Sequence, residues 1–170
     1  KSLIEIGGRE QEVLRLDDLA EPFSRHVCEH LKLSPKQSTS FSSKFLDSCR
    51  AFNSNELTKS DLIARTTKLG FVNVIDAFHV VNQDEIPKRF FLDERQQNGA
   101  IRLTDEFFSM FENGQIGDLG EEVEARWRLI ETAWNLGISP NLTRIYHDHE
   151  HNSLFVGSPE RRTTVTSSRS

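Results

Sequence analysis

Apolar positions along this chain fall mostly at helical spacing, interrupted by a few short runs of extended character. Leu3-Ile4-Glu5-Ile6 and Val13-Leu14 lie on either side of Gly7-Gly8, a turn signal, and predict a small hairpin at the start. Asp17 or Asp18 then offers a cap for a helix running to about Leu31, which Pro22 limits to a start near Ala20 or Glu21, where proline fits a first turn. Ser34-Pro35 opens another helical region, in which Phe41, Phe45, Leu46, Cys49 and Phe52 share one apolar face and which ends near Asn53. Leu57-Thr58-Lys59-Ser60-Asp61 starts the next helix with a hydroxyl cap. Leu62, Ile63, Thr66 and Leu69 form its inner side, and Gly70 suits a left-handed residue at its end.

A third helix is expected from about Val72 to Val81. After Pro87, two strand-like segments, Arg89 to Arg95 and Ala100 to Leu103, flank the turn signal Gln96-Gln97-Asn98-Gly99. Three helices followed by a hairpin is the winged-helix order, here over residues 41–112. Thr104-Asp105 caps a helix from Glu106 to Glu112, and Asn113 to Gly120 reads as a linker. Glu121 to Leu136 is the strongest helical pattern in the chain. Its Val123, Trp127, Ile130 and Trp134 make a narrow apolar stripe, Glu122/Arg126 and Glu124/Arg128 are favourable pairs four residues apart, and Gly137 ends it. Such a stripe packs on the protein's own core or docks a partner, including a second copy of the chain. Leu142 to Tyr146 and Leu154 to Val156 predict a last hairpin. The expected fold class is mainly α with small β-hairpins, an α+β arrangement. Its parts are a hairpin and helix over 1–40, the winged-helix-like unit over 41–112, and the tryptophan helix, hairpin and connector over 121–170.

Composition narrows the class. A chain of 170 residues with 36% apolar and 28% charged side chains is long enough for one domain or two small ones. No apolar run approaches the roughly 18 residues that span a bilayer, and Lys1 to Leu16 lacks the order of a signal peptide, so a cytoplasmic protein is expected. Cys28 and Cys49 sit among apolar neighbours and read as buried thiols rather than a disulfide. The net charge of −5 is uneven, because Thr104 to Glu131 alone carries −6 and leaves the rest at +1. An acidic surface therefore coexists with room for a local basic one.

Several residues offer chemistry. The third helix of a winged-helix unit reads DNA with Arg, Lys, Asn or Gln, but Asn73, Asp76, His79 and Asn82 are the only polar groups in this one, so burial or protein contact competes with base reading. Lys88, Arg89, Arg95 and Arg102 lie on or beside the hairpin and could track phosphates, although Asp93 and Glu94 share the strand and a solvated polar edge explains the same residues. Arg161, Arg162 and Arg169 form a second basic cluster among hydroxyls, either a DNA contact or an exposed connector. His147, His149 and His151 would point to one side of an extended strand, a possible zinc or transition-metal chelate, whereas a turn at Asn152-Ser153 makes them an exposed tip. Asp84-Glu85-Ile86-Pro87-Lys88 lacks the spacing of a metal-dependent nuclease motif, and Pro87 breaks the strand. The sequence holds no phosphate-cradling glycine loop, no Gly-x-Ser-x-Gly elbow and no Cys-x-x-Cys pair.

The closing Thr-Thr-Val-Thr-Ser-Ser-Arg-Ser170 reads as the approach to a further helix, so the chain is expected to be the front part of a longer protein. Val74-Ile75-Asp76-Ala77-Phe78-His79, Arg89-Phe90-Phe91, Ile101-Arg102-Leu103-Thr104-Asp105, the run Glu124 to Trp134 and Val165-Thr166-Ser167-Ser168-Arg169 together resemble the N-terminal region of a group of bacterial HNH endonucleases. The resemblance covers most of the chain from about residue 70 onward. It implies a DNA-directed nuclease of restriction or defence type, whose Cys-x-x-Cys-bearing HNH unit, metal-binding histidine and asparagine and divalent metal would lie beyond Ser170. The expected function is thus a non-catalytic DNA-engaging or regulatory region of such an enzyme. The alternatives are a protein-interaction module using the acidic 104–131 surface or the tryptophan stripe, and a small metal-dependent enzyme using the three histidines.

Overall fold

The computed structural model describes residues 1–7, 11–38, 40, 42–81, 84–112, 116–137, 145–148 and 153–156. It is mainly helical with a small three-stranded antiparallel sheet. Helix α1 (Ser2–Gly7) precedes strand β1 (Val13–Arg15), and α2 (Leu16–Leu33), α3 (Lys44–Asn53) and α4 (Lys59–Leu69) follow, each packed on the other two. The starts of α3 and α4 obey local chemistry. Ser43 accepts the Leu46 N–H and Thr58 accepts the Asp61 N–H, each satisfying a first-turn donor.

The expected N-terminal hairpin is not formed. Ser2–Gly7 is a helix, and β1 pairs instead with a strand almost ninety residues later. Gly7 serves close approach: a Cβ there would fall 2.3 Å from the Phe107 ring, so α1 can lie directly on that side chain only with glycine at its end. Helix α2 begins at Leu16, earlier than Pro22 suggested, without a side-chain cap at Arg15, and it carries the proline in its second turn. Burial of Leu19, Ala20 and Pro22 outweighs the one hydrogen bond that proline cannot donate.

A short α5 (Val74–Ala77) leads to a two-residue ladder of β2 (Val80–Val81) with β3 (Asp84–Glu85). The helix expected over Val72 to Val81 is therefore a single turn, because β-branched valines favour the extended ladder that follows it. Strand β4 (Phe91–Glu94), the turn α6 (Arg95–Asn98) and β5 (Ala100–Leu103) form the expected hairpin, with Phe91 opposite Leu103 and Glu94 opposite Ala100. Gly99 closes its tip at φ +66°, the left-handed conformation that glycine adopts without penalty. The sheet order is β1-β5-β4, so residues before 40 and after 100 share one sheet.

Helix α7 (Asp105–Glu112) follows, then α8 (Ile116–Asn135), which starts five residues before the expected Glu121 and takes in Gly117 and Gly120. Strands β6 (Ile145–Asp148) and β7 (Ser153–Val156) pair antiparallel, Ile145 opposite Val156. Two cores hold the body together. Leu14, Leu19, Ile75, Phe91, Ile101, Leu103 and Phe107 fill one between α1, α2, α7 and the sheet; Val27, Cys28, Phe45, Leu46, Cys49 and Leu62 fill the other between α2, α3 and α4. Phe23 joins them, stacking on Phe45 at 5.4 Å and packing at a tilt against Phe71 at 5.0 Å between ring centres.

Candidate functional site

The hairpin arginines are engaged within the fold. Arg95 donates to Asp93 from Nε at 2.9 Å and from Nη2 at 2.8 Å, to the Phe71 carbonyl at 3.2 Å, and to Asp76 on α5. It thereby ties the hairpin tip to the segment beneath it, and the carboxylate of Asp93 raises its pKa further. Arg102 lies on the outer face of the sheet between Val13 and Leu92 and donates to Glu94 at 2.7 Å, with Glu12 at 3.8 Å. Arg89 pairs with Glu85. Lys88 is exposed and has no carboxylate partner among the described residues. Cations committed in this way give up part of the charge that a phosphate would need. Arg161, Arg162 and Arg169 lie outside the described residues.

The segment that would read a groove is exposed yet apolar. Phe71, Ile75 and His79 are buried at every fourth position, while Val72, Val74, Phe78 and Val80 face solvent, Val72 with 53% of its surface free. Phe78 leans on Phe91 at 4.9 Å and on His79 at 5.0 Å. His79 Nε2 accepts the Phe90 N–H at 3.0 Å, and burial lowers its pKa, so the ring is a neutral structural acceptor.

Helix α8 docks through a polar face that sequence reasoning missed. His30, in the last turn of α2, is 2% exposed and lies between two carboxylates: Nδ1 is 2.6 Å from Glu131 Oε1 and Nε2 is 3.1 Å from Glu124 Oε2. Trp127 stacks flat on the imidazole, 3.7 Å between centres and 10° between planes, and its Nε1 donates to Gln37 Oε1 at 2.9 Å. Gln37 Nε2 in turn donates to Glu131 Oε1. Arg128 completes the group, with Nε 2.9 Å from Glu124 Oε1 and Nη1 3.4 Å from Glu131 Oε2. Lys1 reaches Glu124 at 2.6 Å, and this ammonium, followed by His30, holds the Glu124 carboxyl down to about 2 against the cost of partial burial. The expected pair Glu124/Arg128 is present, as is Glu122/Arg126 at 2.7 Å.

Only one member of the expected stripe makes that contact. Ile130 is exposed, and Val123 and Trp134 are half-buried, so the docking face is turned from the stripe toward Glu124, Arg128 and Glu131. The partners His30 and Gln37 stand about ninety to a hundred residues earlier, and no local periodicity reports them. A second histidine of α2, His26, meets Glu5 Oε2 on α1 at 2.9 Å, and burial lowers its pKa.

Of the three clustered histidines, His147 belongs to β6 opposite Leu154, within the strand rather than at the tip, and His149 and His151 lie outside the described residues. Among the described residues no group of His, Cys, Asp and Glu is arranged to hold a metal ion. Cys28 and Cys49 are buried free thiols, and their mutual contact pushes the Cys49 thiol up. No helix among the described residues is long and apolar enough to cross a membrane. The protein-family models, the curated proteins and the solved structures contain no match to this chain.

Proposed function

We propose that this chain is the non-catalytic, DNA-engaging or regulatory N-terminal region of an HNH-type endonuclease of the restriction or defence kind, with metal-dependent cleavage carried by residues after Ser170. The observation that supports it is the order of α3, α4, the single-turn α5 and the β4/β5 hairpin within residues 41–112, the order a winged-helix-like unit would have with its last helix cut to one turn. The family-like strings between Val74 and Arg169 support the nuclease assignment. In this reading Lys88 and the terminal Arg161, Arg162 and Arg169 make the phosphate contacts, while Arg95 and Arg102 fix the hairpin beside Lys88. The test is duplex-DNA binding by the complete protein across a salt series. Affinity should fall steeply with salt, and Lys88→Glu should weaken it about equally for all sequences. Absence of binding at low salt removes the DNA-engaging part.

A second reading, a protein-interaction module, is favoured by the exposed Val72, Val74, Phe78, Val80 and Leu92 and by the exposed acids Asp105, Glu112, Asp118, Glu121 and Glu122. A dimer built on the whole Val123/Trp127/Ile130/Trp134 stripe would have to break the contacts of Trp127, so the module would use these other surfaces. Light scattering separates the readings: a complete protein that is monomeric and partnerless removes the second.

A further inference from the structure

A neutral imidazole has one donor and one acceptor nitrogen, whereas an ionised carboxylate only accepts. Both ring nitrogens of His30 face carboxylate oxygens, so both contacts are hydrogen bonds only when the ring carries a hydrogen at each nitrogen. Glu131, at 3% exposure, is shut from water beside it, so water cannot replace its bond to the ring without α8 moving. Trp127 lies across the ring face, where an indole favours a cation.

The other charged and polar groups are also placed. From α8, Arg128 faces the outer oxygens of both glutamates; from the start of the chain, Lys1 shares Glu124 Oε2; from the loop after α2, Gln37 shares Glu131 Oε1. None of them reaches between the two carboxylates, where the ring sits. We infer that His30 is a pH-operated latch, in which the imidazolium fastens α8 to α2 through Glu124 and Glu131 and loss of its proton to solvent loosens α8.

Deprotonation turns one contact from attraction to repulsion, because a ring lone pair then points at a carboxylate oxygen. What remains between α8 and the α2 end is Trp127 to Gln37, Gln37 to Glu131, Asn135 to Ser34 at 2.7 Å and Lys36 to the Trp134 carbonyl at 3.4 Å. The latch is therefore closed at low pH and opens as pH rises. It does not depend on whether the protein binds DNA.

The stacked indole supplies the readout, since a protonated imidazole against it quenches its emission. In a Trp134→Phe background, which leaves Trp127 as the only tryptophan of this chain, emission should rise in one step as pH is raised while the carboxylates stay charged. Hydrogen-exchange protection of the α8 amides, corrected for intrinsic rates, should fall across the same step. His30→Gln should abolish both changes. If that variant does not fold, Glu131→Gln, which keeps an oxygen at Nδ1 but removes the charge, should move the step to lower pH. A step that survives in His30→Gln, one that Glu131→Gln leaves in place, or α8 protection that is equal on both sides of the step overturns the latch.

Discussion

Arg95 and Gly70 each hold a place in the fold that a single substitution exposes. Arg95 serves Asp93, Asp76 and the Phe71 carbonyl at once. Arg95→Ala is therefore expected to lower unfolding free energy by about 1–3 kcal/mol, measured as a shift in urea midpoint, because it strips charged partners of their donor. Arg95→Lys should recover little, since a single ammonium cannot span the fork. A residue kept only for DNA would leave the midpoint unchanged. Gly70 lies in the right-handed helical region at φ −74°, not the left-handed one its position after α4 suggested. Its role is space: a Cβ would stand 2.9 Å from the Thr66 carbonyl oxygen and 3.3 Å from the Phe23 ring. Gly70→Ala should cost about 1–3 kcal/mol through overpacking, again read in urea. A glycine is visible in any sequence, but whether it supplies torsional freedom or room depends on what packs against it. The Thr58 cap was legible because its partner, the Asp61 N–H, is three residues away.

Elements were legible where periodicity was long. The runs behind α3, α4 and α8 carry several turns of consistent patterning, and the hairpin β4/β5 has Gly99 to turn on. Ser2–Gly7 is too short to distinguish periods of 2 and 3.6, and its helical state is set by contact with Phe107. The segment after Gly70 has the opposite history. Its valines looked like core, yet only Phe71, Ile75 and His79 turn inward. Two substitutions make the contrast measurable: Phe107→Ala, in the fully buried seat between α1 and the sheet, should cost about 3–5 kcal/mol in urea unfolding. Phe78→Ala, 45% exposed with aromatic contact on one side, should cost about 1 kcal/mol or less.

At the scale of the molecule, long-range carboxylate pairs predict acid sensitivity. The Lys1 ammonium and His30 hold Glu124 at about 2, well below its ordinary 4.5, and hydrogen bonds from His26 and Arg25 lower Glu5 against the effect of burial. For a depressed carboxylate the stabilisation is fully present above the unfolded value and is lost as pH falls toward the folded one. The urea midpoint should therefore drop between about pH 4.5 and about pH 2, and Glu124→Gln should flatten that limb. With the His30 latch acting on the alkaline side, the docking of α8 is strongest between the two limbs. The sequence by itself determined the helical class, the hairpin over residues 91–103, the Thr58-capped start of α4 and the favourable pairs along α8, because each rests on residues within a few positions of one another. Only the tertiary structure decided that β1 joins β5, that the hairpin arginines close onto acids, that a valine-rich turn faces outward and that His30 meets Glu124 and Glu131. Those outcomes depend on which surfaces bury one another across about a hundred residues, and hydrophobic burial, being non-directional, leaves that choice to the packing of the whole chain.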